Sequence, residues 1–95
     1  MLNGAARQGE RMEKSLFTAE YEVLRKLLRK KRKDAGLTQE DIAERIDETQ
    51  SYVSKCERGD RRLDLVQLRI FCRAIGIPLG EFVREFERLI GRGRR

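Results

Sequence analysis

The stretch LTQEDIAERIDETQSYVSKCERG, residues 37–59, constrains the fold more than any other part of the chain. It holds two short runs with helical apolar spacing, Ile42/Ala43/Ile46 and Val53/Cys56, separated by only three or four turn residues. Helices joined so tightly meet at a steep angle. The crossing needs a small residue where the backbones approach, supplied by Ala43, and apolar contacts, supplied by Ile42, Ile46, Val53 and Cys56. Thr38 with Asp41 forms a capping box in which Asp replaces the usual Glu, and it opens the first helix. Thr49 caps the second, residues 50–58, and Gly59 ends it.

The remaining chain is punctuated by Gly36, Gly76 and Pro78, and every segment between the breaks has helical rather than alternating periodicity. Thr18 is expected to cap a first helix to about Asp34, with Tyr21, Leu24, Leu27 and Leu28 inward and Gly36 as a left-handed stop. Asp64 and Gln67 form a second capping box, after which Leu65, Leu68, Cys72 and Ile75 share one face. Pro78 to Ile90 carries a broad stripe of Leu79, Phe82, Val83, Phe86, Leu89 and Ile90. The expected fold is an all-α, five-helix bundle over residues 19–90, between a flexible basic N-terminal tail (1–18) and a basic C-terminal tail (91–95). Met12 is an alternative to Met1 as the native start. With 95 residues, 39% of them hydrophobic, the chain should form one domain around a small core, without a second catalytic or sensing domain.

The formal charge of +6 favours a polyanionic partner, but it is unevenly spread. Residues 20–36 carry a net +4 and the last five +3, whereas residues 37–59 carry a net −3. Positive charge would draw a polyanion to the edges of the helix pair, and particular residues must do the recognising. There is no histidine, and the two cysteines, Cys56 and Cys72, lie on apolar stripes as reduced core thiols. No metal cluster, cofactor or catalytic constellation is expected, so an enzyme is disfavoured. No run approaches the roughly 18 apolar residues of a membrane helix, and no secretory h-region is visible, which makes the cytoplasm the default location.

The second helix of the pair leaves Gln50, Ser51, Ser54, Lys55 and Arg58 on a polar outer face. Such a face suits a major groove of double-stranded DNA, where Gln pairs bidentately with adenine, Lys with guanine, and Ser with either. Arg61 and Arg62 follow at once, in a loop positioned to meet phosphates. Tyr52 is assigned to packing or to a phosphate contact, and the run Arg29 to Lys33 to a solvated face or to phosphates. The last helix is more apolar than a small core requires, so Val83, Phe86 and Ile90 are candidates for a homodimer face. A dimer would set two recognition helices about one DNA turn, ~34 Å, apart on a palindromic site.

Gln39, Ala43, Val53, the segment QSYVSKCERG and the corner AIGIPLGEF make residues 20–86 similar to the Cro/C1-type (XRE) helix-turn-helix family, whose fold is of the lambda-repressor type. The resemblance implies a phosphate contact from Gln39 and base reading by Gln50, Ser51 and Lys55. It implies backbone contacts from Arg58, Arg61 and Arg62, and a buried or half-buried ion pair between Arg32 and Glu57. Arg32 is also assigned to the phosphate-facing set. Two turn residues depart from the pattern: Asp47 stands where the family usually has Gly, and Glu48 where it usually has an apolar plug. Glu48 must then reach solvent, Arg45 or Lys55. Glu40 and Glu44 either serve helix electrostatics or, as in family members that activate transcription, face RNA polymerase. The implied function is a homodimeric transcriptional repressor on a palindromic operator. The alternatives are an antitoxin with a toxin partner, a restriction-modification controller, or a protein or RNA adaptor.

Overall fold

The computed structural model describes the backbone of residues 2–94 and the side chains of residues 18–91. It contains five helices, α1 (Leu2–Asp34), α2 (Gln39–Ile46), α3 (Gln50–Arg58), α4 (Leu65–Ile75) and α5 (Leu79–Arg94), and no strand among the described residues. None of these helices is long and apolar enough to cross a membrane.

The caps of α2, α3 and α4 follow the sequence closely. Thr38 accepts from the Asp41 N–H while Asp41 accepts from the Thr38 N–H, and Asp64 and Gln67 do the same for α4. These hydrogen bonds from Thr38 hold the Asp41 carboxyl below its ordinary range. Its folded value is depressed, so its support for α2 is present above the unfolded carboxylate range and is lost as pH falls through the folded value. Thr49 caps α3 by accepting from the Tyr52 N–H. The stops at Gly59 and Gly76 are left-handed, with φ of 90° and 100°.

Two helices are longer than expected. Thr18 lies inside α1 rather than at its start, because the helix begins at Leu2, and α5 continues past Ile90 to Arg94. Gly4 and Gly9 lie within α1 and Gly91 and Gly93 within α5, and none of them breaks its helix. Arg95 lies outside the described residues.

The core is built from Leu27 and Leu28 of α1, Ile42 and Ala43 of α2, Val53 and Cys56 of α3, Phe71, Cys72 and Ile75 of α4, and Phe82 of α5. Both thiols are buried, and burial pushes the Cys72 thiol up to about 11. Leu65 does not join this core: it is 66% exposed, while Leu63 before it and Leu68 after it are the residues that are buried. Two polar ties lock the periphery, Lys31 Nζ to Glu85 Oε1 at 2.7 Å between α1 and α5, and Arg45 Nη1 to the Ala74 carbonyl at 2.7 Å between α2 and α4.

Both unusual turn residues are accommodated. Asp47 takes φ 60°, ψ 47°, a left-handed conformation that Asp tolerates better than most residues, and its N–H bonds back into α2. Glu48 is exposed, so its carboxylate stays in water and an apolar plug is not required. Among the described glycines of positive φ, Gly59 has a second constraint. A Cβ there would sit 2.8 Å from Nε of Arg25, so any side chain would both strain the backbone and displace that arginine.

Candidate nucleic-acid interface

The exposed face of α3 is held from behind by a buried ion pair. Arg32 and Glu57 are each 6% exposed. The Arg32 guanidinium donates from Nε to Oε2 at 2.6 Å and from Nη2 to Oε1 at 3.0 Å, a bidentate fork. Its Nη1 donates to the Leu37 carbonyl at 2.8 Å, tying the α1–α2 turn to the same group. Arg32 therefore has no exposed edge for a phosphate. Its assignment to the phosphate-facing set is corrected: burial and three internal acceptors commit it to structure.

The pair also orients the first residue of α3. Glu57 is an acceptor only, so Gln39 must turn its amide nitrogen toward it, and Nε2 lies 2.9 Å from Oε1. The Gln39 carbonyl oxygen then faces outward and accepts from Gln50 Nε2 at 2.7 Å. Donation runs from Gln50 to Gln39 to Glu57, where it meets the donors of Arg32, and it leaves Gln50 with its carbonyl oxygen and one N–H unspent at the surface. That donor and acceptor side by side match the N7 and N6–H edge of adenine.

Ser51 and Lys55, one helical turn apart, are exposed beside Gln50, and neither has an ion-pair or side-chain hydrogen-bond partner among the described residues. Ser54 is half-buried, and its hydroxyl accepts from Arg58 Nη1 at 2.9 Å. Arg58 is further bound to Asp60, with Nε and Nη2 at 3.0 and 2.7 Å from Oδ2. The structure thus separates the polar face into open donors at the start of α3 and an engaged pair at its end. Gln39 is half-buried with both amide ends in use; one N–H of its nitrogen remains for an outside acceptor.

Tyr52 is a packing residue in this arrangement. Its ring stacks near-parallel on Phe71, with centroids 6.3 Å apart, and its hydroxyl accepts from Gln67 Nε2 at 2.9 Å. Burial raises its hydroxyl pKa, which keeps it protonated. The guanidinium of Arg61 lies 5.0 Å from the Tyr52 ring centroid and that of Arg62 4.6 Å from the Tyr21 ring. Both arginines remain exposed, and stacking on aromatic faces pre-positions them at the corner after α3.

Sequence reasoning missed two residues that set this corner. Arg25 donates from Nη1 to the Glu57 carbonyl at 2.8 Å, capping the end of α3. Its spacing of seven from Arg32 puts both guanidiniums on one face of α1, a signal that was legible in principle. Tyr21, two turns of α1 removed from Leu28, accepts the Leu63 N–H at 2.9 Å across a long sequence separation that no local pattern reveals. The candidate dimer residues divide. Phe86 packs against the core and Ile90 is half-buried, whereas Val83 is 37% exposed. No group of His, Cys, Asp or Glu among the described residues is arranged to hold a metal ion.

A model of the helix-turn-helix family matches residues 28–82, which contain α2, α3, α4 and the Arg32–Glu57 pair. The chain belongs to this family, in its Cro/C1-type (XRE) branch. It is a family of DNA-binding transcription regulators, not of enzymes. Among similar proteins, the control protein C.MunI of a Mycoplasma species is 38% identical over 63 residues, covering 66% of this chain and 82% of the relative. An uncharacterized HTH-type transcriptional regulator of Methanothermobacter thermautotrophicus is 38% identical over 53 residues, 56% of this chain and 77% of the relative. An XRE-family like protein from Pseudomonas syringae pv. tomato superposes with a TM-score of 0.78 at 37% identity, covering 82% of this chain and 95% of that one. The clp gene regulator ClgR of Corynebacterium glutamicum gives 0.65 at 29%, covering 72% and 88%.

In this XRE-family chain the buried pair should be costly to break and cheap to replace whole. Glu57→Ala strands the Arg32 charge and is expected to cost about 3 to 5 kcal/mol, whereas Arg32→Met with Glu57→Leu should recover most of that loss. Urea unfolding of the two variants, followed by circular dichroism, checks both values.

Proposed function

We propose that this chain is a sequence-specific double-stranded DNA-binding regulator that acts as a homodimer on a palindromic operator and represses by occupying it. The observation that carries the reading is the hydrogen-bonded chain in which Gln50 donates to Gln39 and Gln39 to the Arg32-paired Glu57, which fixes a donor–acceptor pair on the exposed face of α3. Gln50, Ser51 and Lys55 read base edges, with Ser54 beside them. Gln39, Arg58, Arg61 and Arg62 meet the phosphate backbone. The acidic residues Glu40 and Glu44 are both exposed, and in a bound complex they would project from α2 as a surface for RNA polymerase.

The homodimer face lies on α4 in this reading. Leu65, Val66 and Ile70 are 66%, 66% and 44% exposed, more than the α5 candidates Val83, Phe86 and Ile90. Contiguous exposed apolar side chains of this kind mark association surfaces. They begin three residues after Arg62, on the helix that follows the recognition helix.

A second reading within the same chemistry is a restriction-modification controller. It is favoured by the likeness to the control protein C.MunI, of which this chain covers 82%.

Gln50→Ala is expected to cost about 1 to 3 kcal/mol on a selected duplex and to relax preference at one base pair. Arg61→Ala should weaken all duplexes alike and reduce the salt slope by about one. Fluorescence anisotropy against selected and random duplexes over a salt series separates the two effects; equal losses on both duplexes for Gln50→Ala would contradict base reading. Ile70→Glu should shift sedimentation equilibrium toward monomer and reduce binding to a full palindrome more than to a half-site. A dimer constant unchanged by it would move the interface elsewhere.

A further inference from the structure

The three arginines at the end of α3 are not equivalent. Arg61 rests on the Tyr52 face with its charge unmatched by any acid among the described residues. Arg58 has its charge matched by Asp60 and its remaining edge turned to Ser54, so three of its five N–H donors are in use. Asp60 is itself exposed in the loop where phosphates would approach, and its carboxylate opposes them.

We infer that Asp60 is a specificity-determining residue that withholds Arg58 from phosphates in loosely docked complexes and yields it only when α3 is fully seated. The inference rests on the reading of α3 as the base-reading helix. The side chains of Arg58 and Asp60 are 58% and 56% exposed, so the pair is weak and exchangeable. A phosphate in direct contact with Arg58 replaces the lost partner at close range. A phosphate held across a layer of water and counterions is screened over about 8 to 10 Å and does not. Out of register, Arg58 therefore stays closed and Asp60 adds repulsion; in register, Arg58 opens and contributes a contact.

The test compares the full chain with Asp60→Ala and Arg58→Gln on a duplex selected by the full chain and on a random duplex, over a salt series. Asp60→Ala is expected to raise random-duplex affinity roughly two- to fivefold, the span of an exposed ion pair. Its salt slope on that duplex should steepen by about one, with a smaller gain on the selected duplex. Arg58→Gln, which also leaves Asp60 unneutralised, should weaken the selected duplex by a larger factor than the random one. Thermal melts confirm that both variants fold. An equal factor on both duplexes for either variant, or no change with Asp60→Ala, overturns the inference while base reading stands. If the full chain prefers no duplex over random sequence, the base-reading proposal fails and this inference falls with it.

Discussion

The buried pair between Arg32 and Glu57 is the interaction on which the rest of the structure depends. A guanidinium can only donate and a carboxylate can only accept, so placing them together under α3 fixes the direction of each hydrogen bond that follows. Gln39 has no choice of amide orientation, and neither has Gln50. A buried ion pair is weak evidence for stability, because desolvation offsets much of the attraction. Here it acts through orientation: it joins α1, the α1–α2 turn, α2 and α3 at one point, and delivers an ordered polar group to the surface.

Around that point, charge and shape divide the work. Arg25 caps the end of α3 and packs against Gly59, which only glycine permits. Tyr52 and Tyr21 carry Arg61 and Arg62 on their faces. The acidic balance of residues 37–59 follows from this design. Glu57 is spent inside the domain, Asp41 caps α2, Asp47 makes the turn, and Glu40, Glu44 and Glu48 stay in water. What remains on the exposed start of α3 is uncharged except for Lys55.

Most of the fold was legible because it is written in local signals. Thr38, Thr49 and Asp64 cap their helices, and Gly36, Gly59 and Gly76 stop the chain with positive φ. The start of α1 was not legible, since a capable capping residue such as Thr18 can also sit within a helix. Leu65 was misplaced because periodicity identifies a face but not which of its residues are buried. In the site, residue types at helical spacing gave Gln50, Ser51 and Lys55 as an exposed group. The double commitment of Arg32 could not be resolved from sequence, as burial depends on three elements packing together. The Arg58–Asp60 clamp was likewise hidden, because a two-residue spacing across a helix end has no fixed geometry.

The most direct measurement of the central claim is selection of bound sequences from a random duplex library, run in parallel with the full chain and with Gln50→Ala. The account predicts enrichment of a palindromic site from the full chain, with an A·T pair in each half-site that becomes any base pair with Gln50→Ala. Enrichment of no sequence, or the same site with the same A·T pairs from both proteins, would contradict it.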